Sequence, residues 1–128
     1  QNIVEGRSDA ASSAEIEIRL FGVARGSLHE LLNDYLDFMR TRGIEIWTPE
    51  HQRFKALRNM CINNNETAFY TTLAPRLNDT ELTNMIVTLI YQCISMLDKF
   101  IAFIKDDFLK NGGIKEQMRR ARVASRGY

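Results

Sequence analysis

The sequence is poor in the residues that build staples and kinks: 128 residues hold two cysteines, two prolines, two histidines and one tryptophan. Cys61 and Cys93 are too few for a disulfide framework and too far apart for a Cys-x-x-Cys pair, so they read as two buried thiols in a reducing compartment. With only Pro49 and Pro75 to interrupt it, the chain has room for long helices. No apolar run approaches the roughly 20 residues of a bilayer span, and the amino end shows no charged leader followed by an apolar stretch. The expectation is a cytoplasmic protein that does not touch membranes. Bundle di-metal sites use Glu-x-x-His pairs, and neither His29 nor His51 has a glutamate three residues before it. The His-Glu-x-x-His motif, phosphate-cradling glycine loops and the Gly-x-Ser-x-Gly elbow are missing too. No catalytic residue, metal site or cofactor is expected.

What is present is ordinary for one globular domain: 45% hydrophobic and 26% charged residues in 14.8 kDa. A chain of that size hides roughly 65–70% of its unfolded surface in a single core. Charge is uneven along it. Residues 114–128 hold five cations, Lys115, Arg119, Arg120, Arg122 and Arg126, against Glu116 alone, a net +4. The other residues carry 12 basic and 15 acidic side chains, a net −3. A mildly acidic body with a basic tail points to contact with phosphates or another acidic partner, as against a merely solvated end.

The hydrophobic spacing is helical almost throughout. Gly6–Ser13 is small and polar and reads as a turn, after which Ser12 and Glu15 form a capping box. Phe21, Ala24, Leu28, Leu31, Tyr35 and Phe38 then recur at steps of 3 and 4, which predicts a helix over about 13–42 that stops at Gly43. Thr48-Pro49-Glu50 reads as a second start, opening a helix over about 49–62 that fails at Asn63-Asn64-Asn65. A short helix over 66–73 precedes Pro75. Asn78 and Glu81 form another capping pair before a helix over about 80–110, marked by Leu82, Ile86, Leu89, Cys93, Met96, Phe100 and Phe103. That helix is apolar around so much of its circumference that it must be covered on more than one side. Residues 1–113 therefore form the helical body and 114–128 a basic tail or short helix. Gln1–Val4 reads as the end of an upstream helix, whose place that helix or a neighbouring subunit would fill.

Two local features invite a functional reading. Gly22 and Gly26, one turn apart, make a smooth strip for close approach of another backbone, since a mid-helix glycine costs up to about 1 kcal/mol against alanine. Arg25 and His29 share a helical face and are similar to the Arg-x(4–6)-His motif of the HEPN ribonucleases, here with three intervening residues. The plainer expectation is that Arg25 pairs with a buried acid and His29 sits at the rim, while Trp47 and Pro49 staple a corner.

Asn2-Ile3-Val4-Glu5-Gly6, Ser12-Ser13, and Val23-Ala24-Arg25-Gly26-Ser27-Leu28 with Glu30-Leu31 resemble the four-helix bundle protein family. That family includes proteins encoded in intervening sequences of bacterial 23S ribosomal RNA genes and accessory proteins of diversity-generating retroelements. Leu31–Trp47 and Asn84–Gly113 resemble its "four helix bundle suffix" variant, and the resemblance spans nearly the whole chain. It implies an all-α, antiparallel up-and-down four-helix bundle that assembles into a ring, pentameric in characterised relatives. For retroelement members it also implies binding of RNA or DNA and of a reverse transcriptase through a basic surface, which here would be Lys115, Arg119, Arg120, Arg122 and Arg126. Within the family motif, Glu5 and Arg25 are expected to meet across two helices, with Gly22 and Gly26 beside them. The leading function is thus a non-enzymatic, oligomeric nucleic-acid accessory factor. The alternatives are a protein–protein scaffold and a ribonuclease built on Arg25 and His29.

Overall fold

The computed structural model describes residues 3–112, with side chains from Ser13 to Asn111. The described residues are helical with no strand: α1 Ile3–Arg42, α2 Phe54–Asn63, α3 Thr67–Leu73 and α4 Asp79–Asp107. A 3-10 turn, Ala74–Arg76, leads from α3 towards α4, and a π-helical turn, Phe108–Gly112, follows α4. The chain divides into two compact units, one of Gln1–Arg25 with Leu97–Tyr128, the other of Gly26–Met96.

Local chemistry explains most of the boundaries. Helix α1 stops in a Schellman motif. The Gly43 N–H donates to Arg40 O (3.2 Å), the Ile44 N–H donates to Met39 O (2.8 Å), and Gly43 takes φ 67°, a conformation open to residues without Cβ. Ile44 then packs on the cluster that contains Met39, the apolar contact that accompanies this cap. Helix α4 starts in a reciprocal box: the Glu81 N–H donates to Asn78 Oδ1 (2.8 Å) and the Asn78 N–H donates to Glu81 Oε1 (3.1 Å). Between α2 and α3, Tyr70 OH donates to Asn64 O (2.6 Å), and Asn64 Nδ2 donates to Met60 O (2.7 Å), so the asparagine run ends α2 with its own side chain.

Two expected boundaries are corrected. The turn at Gly6–Ser13 is helical, part of the continuous α1. The segment has no proline, carries Ala10 and Ala11 and is followed by Ala14, residues that favour helix, so Ser12 has no helix start to cap. The second helix opens at Phe54 rather than Pro49. Pro49 instead sits second in a turn closed by the His51 N–H donating to Thr48 O (2.8 Å), and a further turn brings the Phe54 N–H to His51 O (3.1 Å).

Residues 26–96 contain a core of Leu32, Met39, Val87, Ile90 and Ile94, with Leu28, Tyr35, Leu36, Ile44, Ile46 and Ile86 packed against it. Met39 is fully buried. Among residues 13–25 and 97–111 no described side chain is buried.

Candidate functional site

In the unit of residues 26–96 the most organised polar cluster surrounds Trp47. Its backbone N–H donates to Asn84 Oδ1 (2.8 Å), and Asn84 Nδ2 donates to Glu45 O and Thr80 O (2.8 Å each). Asn84 is 3% exposed, so one carboxamide on α4 satisfies several backbone groups of a loop that no ladder could reach. The His51 ring stacks on the indole at 4.8 Å between centroids, and the Arg53 guanidinium lies over the same indole at 4.8 Å. Arg53 also pairs with Glu81 (2.8 Å), and His51 Nε2 lies 3.3 Å from Glu45 Oε1. Arg53 is the first cause, and the Asn78 N–H the second, of a Glu81 carboxyl held below its ordinary value. These contacts join residues 45–53 to the first turns of α4. They make a corner staple, as the sequence implied for Trp47, and they leave no nucleophile beside a base.

Arg25 pairs with Asp98, not with Glu5. Glu5 and Arg25 lie on one continuous helix, twenty residues and about 30 Å apart at 1.5 Å per residue, so they cannot meet across two helices. Asp98 is not a buried acid either: the two side chains are 43% and 49% exposed, and such a pair contributes about 0–1 kcal/mol. His29 Nε2 is enclosed without a hydrogen-bond partner among the described residues, as is Trp47 Nε1. Gly22 and Gly26 have open space around them, with nothing within 4 Å of a Cβ built at either. Among the described residues none makes the close approach expected there.

The two thiols differ. Cys61 is buried, and that burial raises its pKa, whereas Cys93 is exposed, which corrects the expectation of two buried thiols. Tyr70, beside Cys61, is pushed up to about 12, by burial first and by Cys61 second. A raised thiol pKa means little thiolate near neutrality. Among the described residues no group of three or more His, Cys, Asp or Glu is placed to hold a metal ion. An open depression of about 810 Å³ is lined by the asparagines at 63–65, Glu66, Thr72 and Arg76 and by the apolar Ala68, Phe69 and Leu73. Lys115, Arg119, Arg120, Arg122 and Arg126 lie outside the described residues.

Both units expose large apolar side chains. Ile16, Leu20, Val23, Leu31 and Phe38 on α1, and Tyr91, Met96, Phe100 and Phe103 on α4, are each more than 40% exposed, as are Phe108 and Leu109 after it. The stretch Leu82–Leu97 carries no charge, and α4 with its following turn is long and apolar enough, by length and composition, to cross a membrane. That corrects the expectation that no such stretch exists. A core helix has the same pattern, and Thr83, Asn84, Met85, Val87, Ile90 and Ile94 of this one are buried in the protein.

No protein-family model, curated protein or solved structure matches the chain.

Proposed function

We propose that the chain is a non-enzymatic, oligomeric helical-bundle protein, antiparallel and up-and-down, that works in the cytoplasm as an accessory factor to RNA or DNA. The observation that carries this reading is that Ile16, Leu20 and Val23 on α1 and Met96, Phe100 and Phe103 on α4 are each more than half exposed. The antiparallel order is supported by Phe21 stacking on Phe100 and Arg25 pairing with Asp98, partners whose numbers run in opposite senses. The nucleic-acid role is supported by charge: a net +4 over residues 114–128 on a chain otherwise net −3. A ring of subunits and a reverse transcriptase partner come from the family resemblance. A ribonuclease built on Arg25 and His29 has less support, because Arg25 is engaged by Asp98 and His29 Nε2 is shut away from any ribose.

The test is fluorescence anisotropy with structured RNA and with duplex DNA across a salt series. It uses the full chain and a variant with Lys115, Arg119, Arg120, Arg122 and Arg126 all replaced by Gln. Four phosphate contacts on duplex DNA should give a slope of log affinity against log salt near about −3.6, and the variant should flatten it. Absence of binding by the full chain at low salt would sink the nucleic-acid role. It would leave the protein–protein scaffold, the reading that the exposed apolar surface favours by itself.

A further inference from the structure

The loop of residues 45–53 carries a histidine whose two ring nitrogens are placed for different work. The Arg53 N–H donates to His51 Nδ1 (3.1 Å), and His51 Nε2 lies 3.3 Å from Glu45 Oε1. A neutral imidazole has one N–H and one bare nitrogen, whereas an imidazolium has two N–H groups and accepts nothing. The bond from Arg53 therefore fits only the neutral ring, with its proton on Nε2 towards the Glu45 carboxylate. It reaches from the side chain of residue 51 to the amide two residues on, as an Asx turn does, with imidazole in place of a carboxamide.

His51 is also the joint of the loop. Its backbone N–H closes the turn on Thr48 O (2.8 Å), and its carbonyl oxygen accepts from the Phe54 N–H (3.1 Å) at the head of α2. Its ring lies 12° from parallel with the Trp47 indole, and the Arg53 guanidinium lies over that indole as well. A second proton on the ring lands on Nδ1, sets N–H against N–H towards Arg53, and adds a cation near the guanidinium. Glu45 offsets the new charge from the Nε2 side. Of the other carboxylates at this corner, Glu81 on α4 is engaged with Arg53, and Glu50 in the turn accepts from Thr48. The imidazolium thus keeps a partner at Nε2 and loses the one at Nδ1. Trp47 stays in place, because Asn84 Oδ1 holds its amide.

We propose that His51 is a pH-sensitive latch: neutral, it ties residues 51–53 down beside Trp47, and protonated, it releases the Arg53 amide and lets that segment swing away from the corner. The latch works within one subunit and needs neither assembly nor nucleic acid. Nitrogen–proton correlation spectra of the full chain, taken between about pH 8 and pH 5, where imidazoles change charge, test it. The Arg53 amide proton should lose its hydrogen-bonded shift as pH falls, with the midpoint of the His51 ring protons and not of those of His29. Trp47, the sole tryptophan, should change its near-ultraviolet circular dichroism over the same range. His51→Asn offers Oδ1 to the same amide without titrating, so both signals should stay level in it. The coincidence of midpoints in the wild-type chain stands as a test even where that variant does not fold. An Arg53 amide that stays bonded while the His51 ring titrates would overturn the latch. So would a His51 ring that takes up no proton in this range, or a pH response undiminished in folded His51→Asn.

Discussion

Residues 26–96 and the segments 13–25 and 97–111 draw on the same two long helices and the same 3- and 4-residue spacing, yet they spend their apolar residues differently. Met85 is 2% exposed, whereas Phe100 and Phe103, on the part of α4 that belongs to the other unit, are 51% and 67% exposed. In the first unit α2 and α3 share the fold with α1 and α4, and Gln92 on α4 donates to Arg58 O on α2 (3.5 Å). Among the described residues, the second unit adds to its parts of α1 and α4 only the π-helical turn Phe108–Gly112. The comparison teaches that an amphipathic period states a demand for burial and does not say what meets it. Covering needs a third and a fourth helix, from the same chain or from another copy.

The contrast is open to direct attack. Met39→Ala should be the most damaging single change, at about 3 kcal/mol in urea unfolding, because it empties a site with no exposed surface. Leu20→Ala, in the uncovered stripe, should cost less than about 0.5 kcal/mol at concentrations where the chain is a single subunit. Equal costs for the two would erase the distinction. Asn84→Ala comes next, at about 2 kcal/mol, since it strands the Trp47 N–H and the Glu45 carbonyl oxygen. Loss of near-ultraviolet circular dichroism from Trp47 should accompany it.

Gly43→Ala should cost about 1 kcal/mol, seen as a lowered Tm. Nothing crowds a Cβ at this position, so the whole effect is the positive φ. At the exposed end of the scale, the Arg53 guanidinium holds Glu81 below its ordinary 4.5. A carboxyl depressed in the folded state adds stability above its unfolded value, and that stability is lost as pH falls through the folded value. The Tm should therefore decline more steeply below pH 4.5 in the wild-type chain than in Glu81→Gln, and parallel curves would remove the effect.

Helix ends were legible where their chemistry is local. Gly43 after an apolar period, and Asn78 three residues before Glu81, are patterns whose partners lie within one turn, and both motifs formed. Thr48-Pro49-Glu50 misled because its outcome is not local. The same residues suit a helix start or a tight turn, and Asn84, thirty-seven residues after Trp47, together with Glu81, holds this loop as turns. Arg25 was legible as half of an ion pair, but its partner was not. An exposed arginine reaches any acid that the packing of α1 and α4 brings alongside, and that acid is Asp98.

By itself the sequence determined an all-helical chain, because helix formation rests on 3.6-residue periodicity, sparse proline and caps that act within a turn. The charge polarity of residues 114–128 against the remainder is equally independent of folding. Tertiary structure decided which apolar side chains leave water: Met85 and Ile94 do, Met96 and Phe103 do not. It also decided that Cys61 is enclosed while Cys93 is open, and that Gly22 and Gly26 face free space. Burial belongs to pairs of surfaces, and one helix's sequence describes only its own side of each pair.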